Sequence, residues 1–251
     1  MKDKTLLGII GGSGLDRVEA LVIEGSETVS TPYGEPSAAL TRGRLGSSPI
    51  LFLPRHGSDH SIAPHRINYR ANLWALHAAG VRDVVAVATV GGIHERMPAG
   101  SLVLPDQIID YTWGRESTYF DGLSQPLQHI DFTQPFSAAL RGRLRRAAVR
   151  AGTTLIEGGT YGATQGPRLE TAAEIERMAR DGADLVGMTG MPEAALAREL
   201  GLEYAMLAVV VNAAAGRGDN REAISLEQIH QTSARVMKDV LRVLTAMGEG
   251  G

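Results

Sequence analysis

The chain has no cysteine among its 251 residues. That absence removes disulfides, thiol nucleophiles and Cys-ligated zinc, and leaves no bridge that would argue for export. No run of about 18 apolar residues occurs, so a membrane-spanning helix is not expected. Met1 to Ile10 carries two lysines and only a short apolar run before glycines, which reads as a first buried strand rather than a signal peptide. The formal net charge is only -3, which gives no general electrostatic reason to expect a nucleic-acid or anionic-membrane partner. Any anionic ligand must then be held by local chemistry. The expectation is a cytoplasmic globular protein, with 1–251 forming one domain, because this length and a 43% hydrophobic composition can bury a full core.

Familiar phosphate motifs are missing as well. A dinucleotide fingerprint beginning at Gly12 and Gly14 would need glycine where Arg17 stands, and a nucleophile elbow around Ser13 would need it where Leu15 stands. No glycine-rich loop ends in Gly-Lys-Ser/Thr. His56 and His60 are four apart, but flanking prolines argue against a helix that would align them, and no local Glu completes a metalloprotease pattern. No metal is expected.

What is present is alternation. Short branched apolar runs at Leu6 to Ile10, Ile50 to Leu53, Val84 to Val90, Leu102 to Leu104, Leu185 to Met188 and Tyr204 to Val211 read as buried strands. Helical patterns lie between them, at Asn68 to Ala79, Phe136 to Ala151 and Thr171 to Asp181, each stopped by a glycine. Thr171 with Glu174, and Ser225 with Gln228, have the spacing of capping boxes. Pro192 suits the first turn of a short helix ending before Gly201. Strands alternating with helices in this way predict a three-layer α/β fold, a mixed central sheet flanked by helices.

Ligand-binding candidates cluster at strand ends. Gly11, Gly12, Ser13 and Gly14 follow the first strand, where the backbone can approach an anion or simply turn. Arg55 and His56 follow the second run, and an arginine there can serve as a fork for phosphate or belong to an ordinary surface loop. Thr89 precedes Gly91 and Gly92. Glu170 stands before a helix, where it meets a ligand or only complements the helix dipole. Asn212 leaves the last strand as a turn former, a cap or a ligand reader.

Taken together these blocks resemble the nucleoside phosphorylase family that includes trimeric purine nucleoside phosphorylases and methylthioadenosine phosphorylases. The resemblance rests on GIIGGSGL at Gly8, TPYGEPS at Thr31, PRHG at Pro54, INYRANLWAL at Ile67, VGGI at Val90, PDQIIDYT at Pro105, GPRLETAAE at Gly166 and VGMTGMPEAALAREL at Val186. It implies a phosphorylase/hydrolase-like fold and phosphorolysis of a purine nucleoside, with inorganic phosphate as co-substrate and no cofactor. It also implies phosphate contacts from Ser13, Arg55, His56, Thr89 and Thr189, a ribose contact from Met188, and base contacts from Leu169, Glu170 and Asn212. The family's trimer, in which a neighbour closes the 5′ end of the site, would bring in His129.

Hydrogen-bond complementarity narrows the substrate that the resemblance implies. An ionised Glu170 accepts from the N1-H of hypoxanthine and repels the N1 lone pair of adenine, so a 6-oxopurine is expected, with Asn212 supporting N7 of the leaving base. Ile224 and Leu226, near the start of the last helix, favour an apolar 5′-methylthio group over a hydroxyl. The expected substrate is 5′-methylthioinosine, with inosine and guanosine, or methylthioadenosine, as alternatives. His230, one turn on, reads first as a solvated face or partner contact.

Overall fold

The computed structural model describes residues 6–12, 21–123 and 125–249. Its centre is a pair of long parallel strands, β5 (Asp83–Gly92) and β11 (Glu203–Ala213). On the other side of β5 lies β1 (Leu7–Gly11), parallel to it, followed by β4 (Ser48–Pro54), also parallel, and then antiparallel β3 (Leu40–Leu45) and β2 (Leu21–Glu27). The far end of β5 also pairs, antiparallel, with β10 (Leu185–Gly187), which leads through β9 (Thr160–Ala163) to β7 (Gln107–Asp110). Beyond β11 lie β6 (Leu102–Leu104) and the short β8 (Ile156–Glu157). The sheet is therefore mixed and branches at β5.

Period-two alternation sorts the strand side chains onto two faces. Ala86, Ala88 and Val90 of β5, with Met206, Ala208 and Val210 of β11, join one core with Leu73 and Leu76 of α1 (Tyr69–Ala78) and Leu196 of the later helix α4 (Gly190–Glu199). Val85, Val87, Leu207 and Val209 join the other, under α2 (Ala138–Arg150) and α5 (Leu226–Glu249). Because β5 and β11 bury both faces, they read in sequence as continuous apolar runs. The result is the expected three-layer α/β fold.

Helix ends are fixed by side chains. Asn68 accepts from the Ala71 N-H at 3.1 Å and Ser137 from Leu140 at 3.0 Å. At α3 (Ala172–Asp181) both halves of the Thr171–Glu174 capping box form, and Gly182 closes the helix with φ of 94°. At Ser225 the hydroxyl accepts from the Gln228 N-H at 3.3 Å. The short or solvent-facing strands β2, β3, β7, β8 and β9 were not expected from sequence, since they lack the continuous apolar runs of the centre.

Candidate active site

A cavity of about 570 Å³ opens at the C-terminal ends of β4, β5 and β11. Arg55, His56, Thr89, Leu169, Glu170, Met188, Thr189, Asn212, Ile224 and Leu226 all line it, brought together from six separate stretches of chain. His129 does not: it is exposed on the segment before α2, away from this wall. Ser13 lies outside the described residues. Gly12, immediately before it, does line the cavity.

At one end sit Arg55, His56, Thr89 and Thr189. The Arg55 side chain is 1% exposed. Its forked edge faces Glu193, with Nε donating to Oε2 at 2.7 Å and Nη2 to Oε1 at 2.9 Å, while Nη1 donates to the Val87 carbonyl at 3.1 Å. A guanidinium has five N-H groups; the second Nη2 hydrogen goes to the Ile10 carbonyl at 3.5 Å, so one Nη1 hydrogen is left without a partner among the described residues. This differs from the open fork expected from sequence: the two-point edge serves an internal carboxylate. Burial alone would lower the guanidinium pKa, but the charge and hydrogen bonds of Glu193 more than reverse this, and Arg55 stays cationic. Tyr204 adds a third member, its hydroxyl donating to Glu193 Oε1 at 2.8 Å.

Thr89 is the exposed position within the otherwise buried run of β5. Across from it, Thr189 precedes α4, and its hydroxyl makes no cap within that helix. The Thr189 and Gly190 N-H groups instead donate to the Tyr161 hydroxyl at 3.2 and 3.3 Å. Tyr161 reaches them only because residue 187 is glycine; a Cβ there would collide with the phenol.

His56 is held by a reciprocal bridge. Ile62 N-H donates to the His56 carbonyl at 2.9 Å, and the His56 ring Nδ1 meets the Ile62 carbonyl at 2.8 Å. Burial, then the positive charge of Arg55, lower its pKa to about 4, with His60 adding to the effect. The imidazole is thus neutral near pH 7.

Glu170 and Asn212 line the same cavity. The Thr164 hydroxyl donates to Glu170 Oε1 at 2.6 Å. Glu174, not Glu170, caps α3, so the capping reading does not account for Glu170. Asn212 is aimed by a β-bulge: Val210 pairs with Val90, yet Asn212 pairs with Gly91, leaving Val211 as the extra residue. One Asn212 amide hydrogen goes to the Ala213 carbonyl at 2.6 Å. Among the described residues, the other hydrogen and the carbonyl oxygen have no partner.

Ile224, Leu226, Ile229 and Met237 supply apolar wall, and His230 and Ser233 share it. His230 borders this cavity while staying exposed on α5, which agrees with its reading as a solvated face and leaves a partner contact open. A neighbouring cleft of about 830 Å³ shares Val211 and Asn212. The segment after β11 stands between the two, giving Ala214 and Ala215 to the first and Arg217 to Asn220 to the second.

Sequence reasoning passed over Glu193, Tyr161, Thr164 and Arg115. The signal for Glu193 was a lone carboxylate among small and apolar residues, Gly190 to Ala197. Arg115 gave none, because its role is visible only in space: Nη1 donates to the Met188 carbonyl at 2.9 Å and Nη2 to the Thr164 and Gln165 carbonyls at 3.1 and 2.9 Å. It ties the segment carrying Met188 to the segment leading to Glu170.

A mixed, branched sheet whose strand ends converge on one polar-ended cavity defines a class, and the family comparison gives the same answer. The model for the phosphorylase superfamily matches residues 6–248, and the chain belongs to that superfamily. Among its relatives, the chain is 52% identical over 228 residues to a probable S-methyl-5′-thioinosine phosphorylase of Xanthomonas campestris, covering 91% of each chain. It is 42% identical over 245 residues to a 6-oxopurine nucleoside phosphorylase of Pyrococcus furiosus, covering 96% of this chain and 91% of the other. The fold is similar to that of methylthioadenosine phosphorylase from Schistosoma mansoni solved with adenine, at a TM-score of 0.90 and 32% identity over 98% of this chain and 91% of that one.

Proposed function

We propose that this protein is a purine nucleoside phosphorylase that cleaves 6-oxopurine nucleosides, with 5′-methylthioinosine as its preferred substrate, giving hypoxanthine and 5-methylthioribose 1-phosphate. The observation that carries the reading is that Arg55, Thr89 and Thr189 share one cavity with Glu170 and Asn212. An oxyanion site and a base-reading pair within one nucleoside's reach are what phosphorolysis requires.

The chemistry needs positioning and electrostatics more than covalent help. A phosphate oxygen attacks C1′ while the C1′–N9 bond lengthens and the sugar gains oxocarbenium character. Cationic Arg55 stabilises the nucleophile's charge. Electron density moving into the purine is met at N7 by an Asn212 N-H, and Glu170 accepts from N1-H. The products are the sugar 1-phosphate and the base, whose imidazole ring takes up, through solvent, the proton that hydrogen phosphate gives up on becoming the ester dianion.

Ile224, Leu226, Ile229 and Met237 support the methylthio preference. His230 and Ser233 on the same wall favour a second reading, in which a 5′-hydroxyl is accepted and inosine and guanosine are turned over well. Methylthioadenosine is opposed by a carboxylate facing the base. The reading further includes a single domain over 1–251, no cofactor beyond co-substrate phosphate, no nucleic-acid or membrane partner, a cytoplasmic location and a homotrimer in which His129 of one subunit reaches a neighbour's site. Exposed Trp113, Leu123 and Leu127 before and beside His129 in sequence support a covered surface there. No helix among the described residues is long and apolar enough to cross a membrane.

The test is hypoxanthine release from methylthioinosine, with and without phosphate, in competition with inosine and methylthioadenosine. Phosphate-dependent release with methylthioinosine preferred is expected. Equal release without phosphate, or none from any 6-oxopurine nucleoside, overturns the proposal.

A further inference from the structure

We infer that His56 selects the anion by its proton: its Nε2 presents a lone pair, so the site accepts a tetrahedral oxyanion that carries an O-H, such as hydrogen phosphate, and rejects one that carries none, such as sulfate. This rests on the reading of the Arg55 end of the cavity as the anion site.

The Ile62 carbonyl fixes the tautomer of the His56 ring. A carbonyl oxygen can only accept, so the His56 nitrogen 2.8 Å from it, Nδ1, must carry the hydrogen. The bridge is closed from the other direction by Ile62 N-H donating to the His56 carbonyl at 2.9 Å, which fixes the ring's position relative to the 56–62 loop. A neutral imidazole has one hydrogen only. Once it sits on Nδ1, Nε2 is an acceptor.

Three features keep the second proton off. The ring is largely buried, the Arg55 guanidinium precedes it in the chain, and the His60 ring lies against it with centroids 4.7 Å apart. Each disfavours an imidazolium, and the pKa is accordingly low, near 4. Arg55 and His60 are also the charged and titratable groups that act on the ring in this structure. The Cδ2 edge, next to Nε2, faces the turn at Gly12, where a Cβ would stand 3.8 Å away. Gly12, Arg55, His56 and Thr89 share the cavity wall.

Inorganic phosphate carries at least one P-OH throughout the pH range in which a folded protein of this kind is handled, one as the hydrogen phosphate that predominates at pH 7.5, and sulfate carries none. Hydrogen phosphate can give its proton as a hydrogen bond to Nε2, leaving three unprotonated oxygens for Arg55, the threonines and attack on C1′. Sulfate would set an anionic oxygen against the Nε2 lone pair, an arrangement that selects by repulsion. An unpaired, desolvated acceptor of this kind lowers affinity by about ten- to a hundredfold.

Calorimetric titration of the nucleoside-free protein with phosphate, arsenate and sulfate at pH 7.5 measures the effect directly. Phosphate and arsenate, both bearing an O-H, should bind within about tenfold of each other, and sulfate at least tenfold more weakly than phosphate. In His56→Gln, whose amide can donate as well as accept, the phosphate-to-sulfate ratio should fall to within about threefold. A wild-type ratio below about fivefold, or an unchanged ratio in the variant, overturns the proposal. Nitrogen-15 NMR of wild-type His56 gives an answer that needs no variant: an unprotonated Nε2 is expected, and an Nε2-H resonance at neutral pH refutes it. If anion selectivity holds but no nucleoside is cleaved, the functional reading fails and the anion proposal stands; turnover with indiscriminate anion binding is the reverse outcome.

Discussion

Arg55 and Glu193 form a two-point ion pair, Nε to Oε2 at 2.7 Å and Nη2 to Oε1 at 2.9 Å, with both side chains essentially removed from solvent. A buried pair of this kind is weak evidence for stability, because desolvation offsets much of the attraction, but breaking it strands a charge. What it does supply is placement: the guanidinium cannot swing, and its remaining N-H is presented in one direction.

Glu193→Gln keeps the shape and one acceptor while removing the charge. The variant is expected to lose about 2–4 kcal/mol of stability, since Arg55 keeps its charge in a site no longer able to balance it. Urea unfolding measures this. In the folded fraction, KM for phosphate should rise about tenfold with a smaller change in KM for nucleoside, because Glu193 touches the base end nowhere. An equal rise in both would count against Glu193 as a positioning residue for the anion.

In the proposed reading, base selection falls to Glu170 and Asn212, which line the same cavity. Replacing Glu170 by Ser and Asn212 by Asp together removes the acceptor for N1-H and supplies one for an exocyclic amine. The ratio of kcat/KM for methylthioinosine over methylthioadenosine is expected to fall by about ten- to a hundredfold, the effect of leaving one buried polar group unpaired. Thr164→Val, which frees Glu170 Oε1 from its 2.6 Å donor and also removes a longer 3.3 Å contact to the Gly187 carbonyl, should move the ratio in the same direction by less. An unchanged preference in the double variant would remove the base-recognition argument.

Much of this site was legible because strand ends are legible. Apolar runs located β1, β4, β5 and β11, and the polar residue that breaks or ends the last three, Arg55, Thr89 and Asn212, lines the cavity. The edge strands escaped because β2 exposes Val22 and Ile23 and β8 and β9 are too short to show a period. Partners remote in sequence escaped for a different reason. Glu193 lies 138 residues from Arg55, and Arg115 acts on carbonyl oxygens, which carry no sequence signature. That exposed His230 also borders the cavity was not legible, because helical spacing alone does not say which side of α5 faces it.

Acid sensitivity should come in two separate windows. His56 titrates near 6.5 when unfolded and about 4 when folded, so between those values the unfolded chain binds the extra proton and stability falls as pH falls. The full contribution is up to about 3 kcal/mol, reduced by whatever water reaches the ring. Glu174 is held at about 2 by the Arg168 side chain and then by the Thr171 N-H, so its contribution is present above 4.5 and is lost as pH falls toward 2. It is nearly exposed, and under about 1 kcal/mol is expected from it. Unfolding free energies at pH 7, 5.5 and 4.5 should therefore show a decline that His56→Gln flattens and Glu174→Gln does not. A wild-type profile level from 7 to 4.5 would contradict a buried neutral His56.

The proposed 5′ preference turns on a wall of mixed character. Leu226 is 63% exposed in the isolated chain, whereas Met237 beside the same cavity is 8% exposed, so the apolar surface offered to a methylthio group is partly open and a small apolar group gains only about 1 kcal/mol there. Leu226→Ala should accordingly lower the methylthioinosine-to-inosine ratio of kcat/KM by about threefold to fivefold. His230→Ala should move the ratio the other way, since a 5′-hydroxyl loses its nearest ring nitrogen on this wall while a thioether loses little. Measured in one competition assay, opposite signs for the two variants are the expected result. If both variants shift the ratio in the same direction, the wall does not discriminate between the two substituents in the way its composition implies.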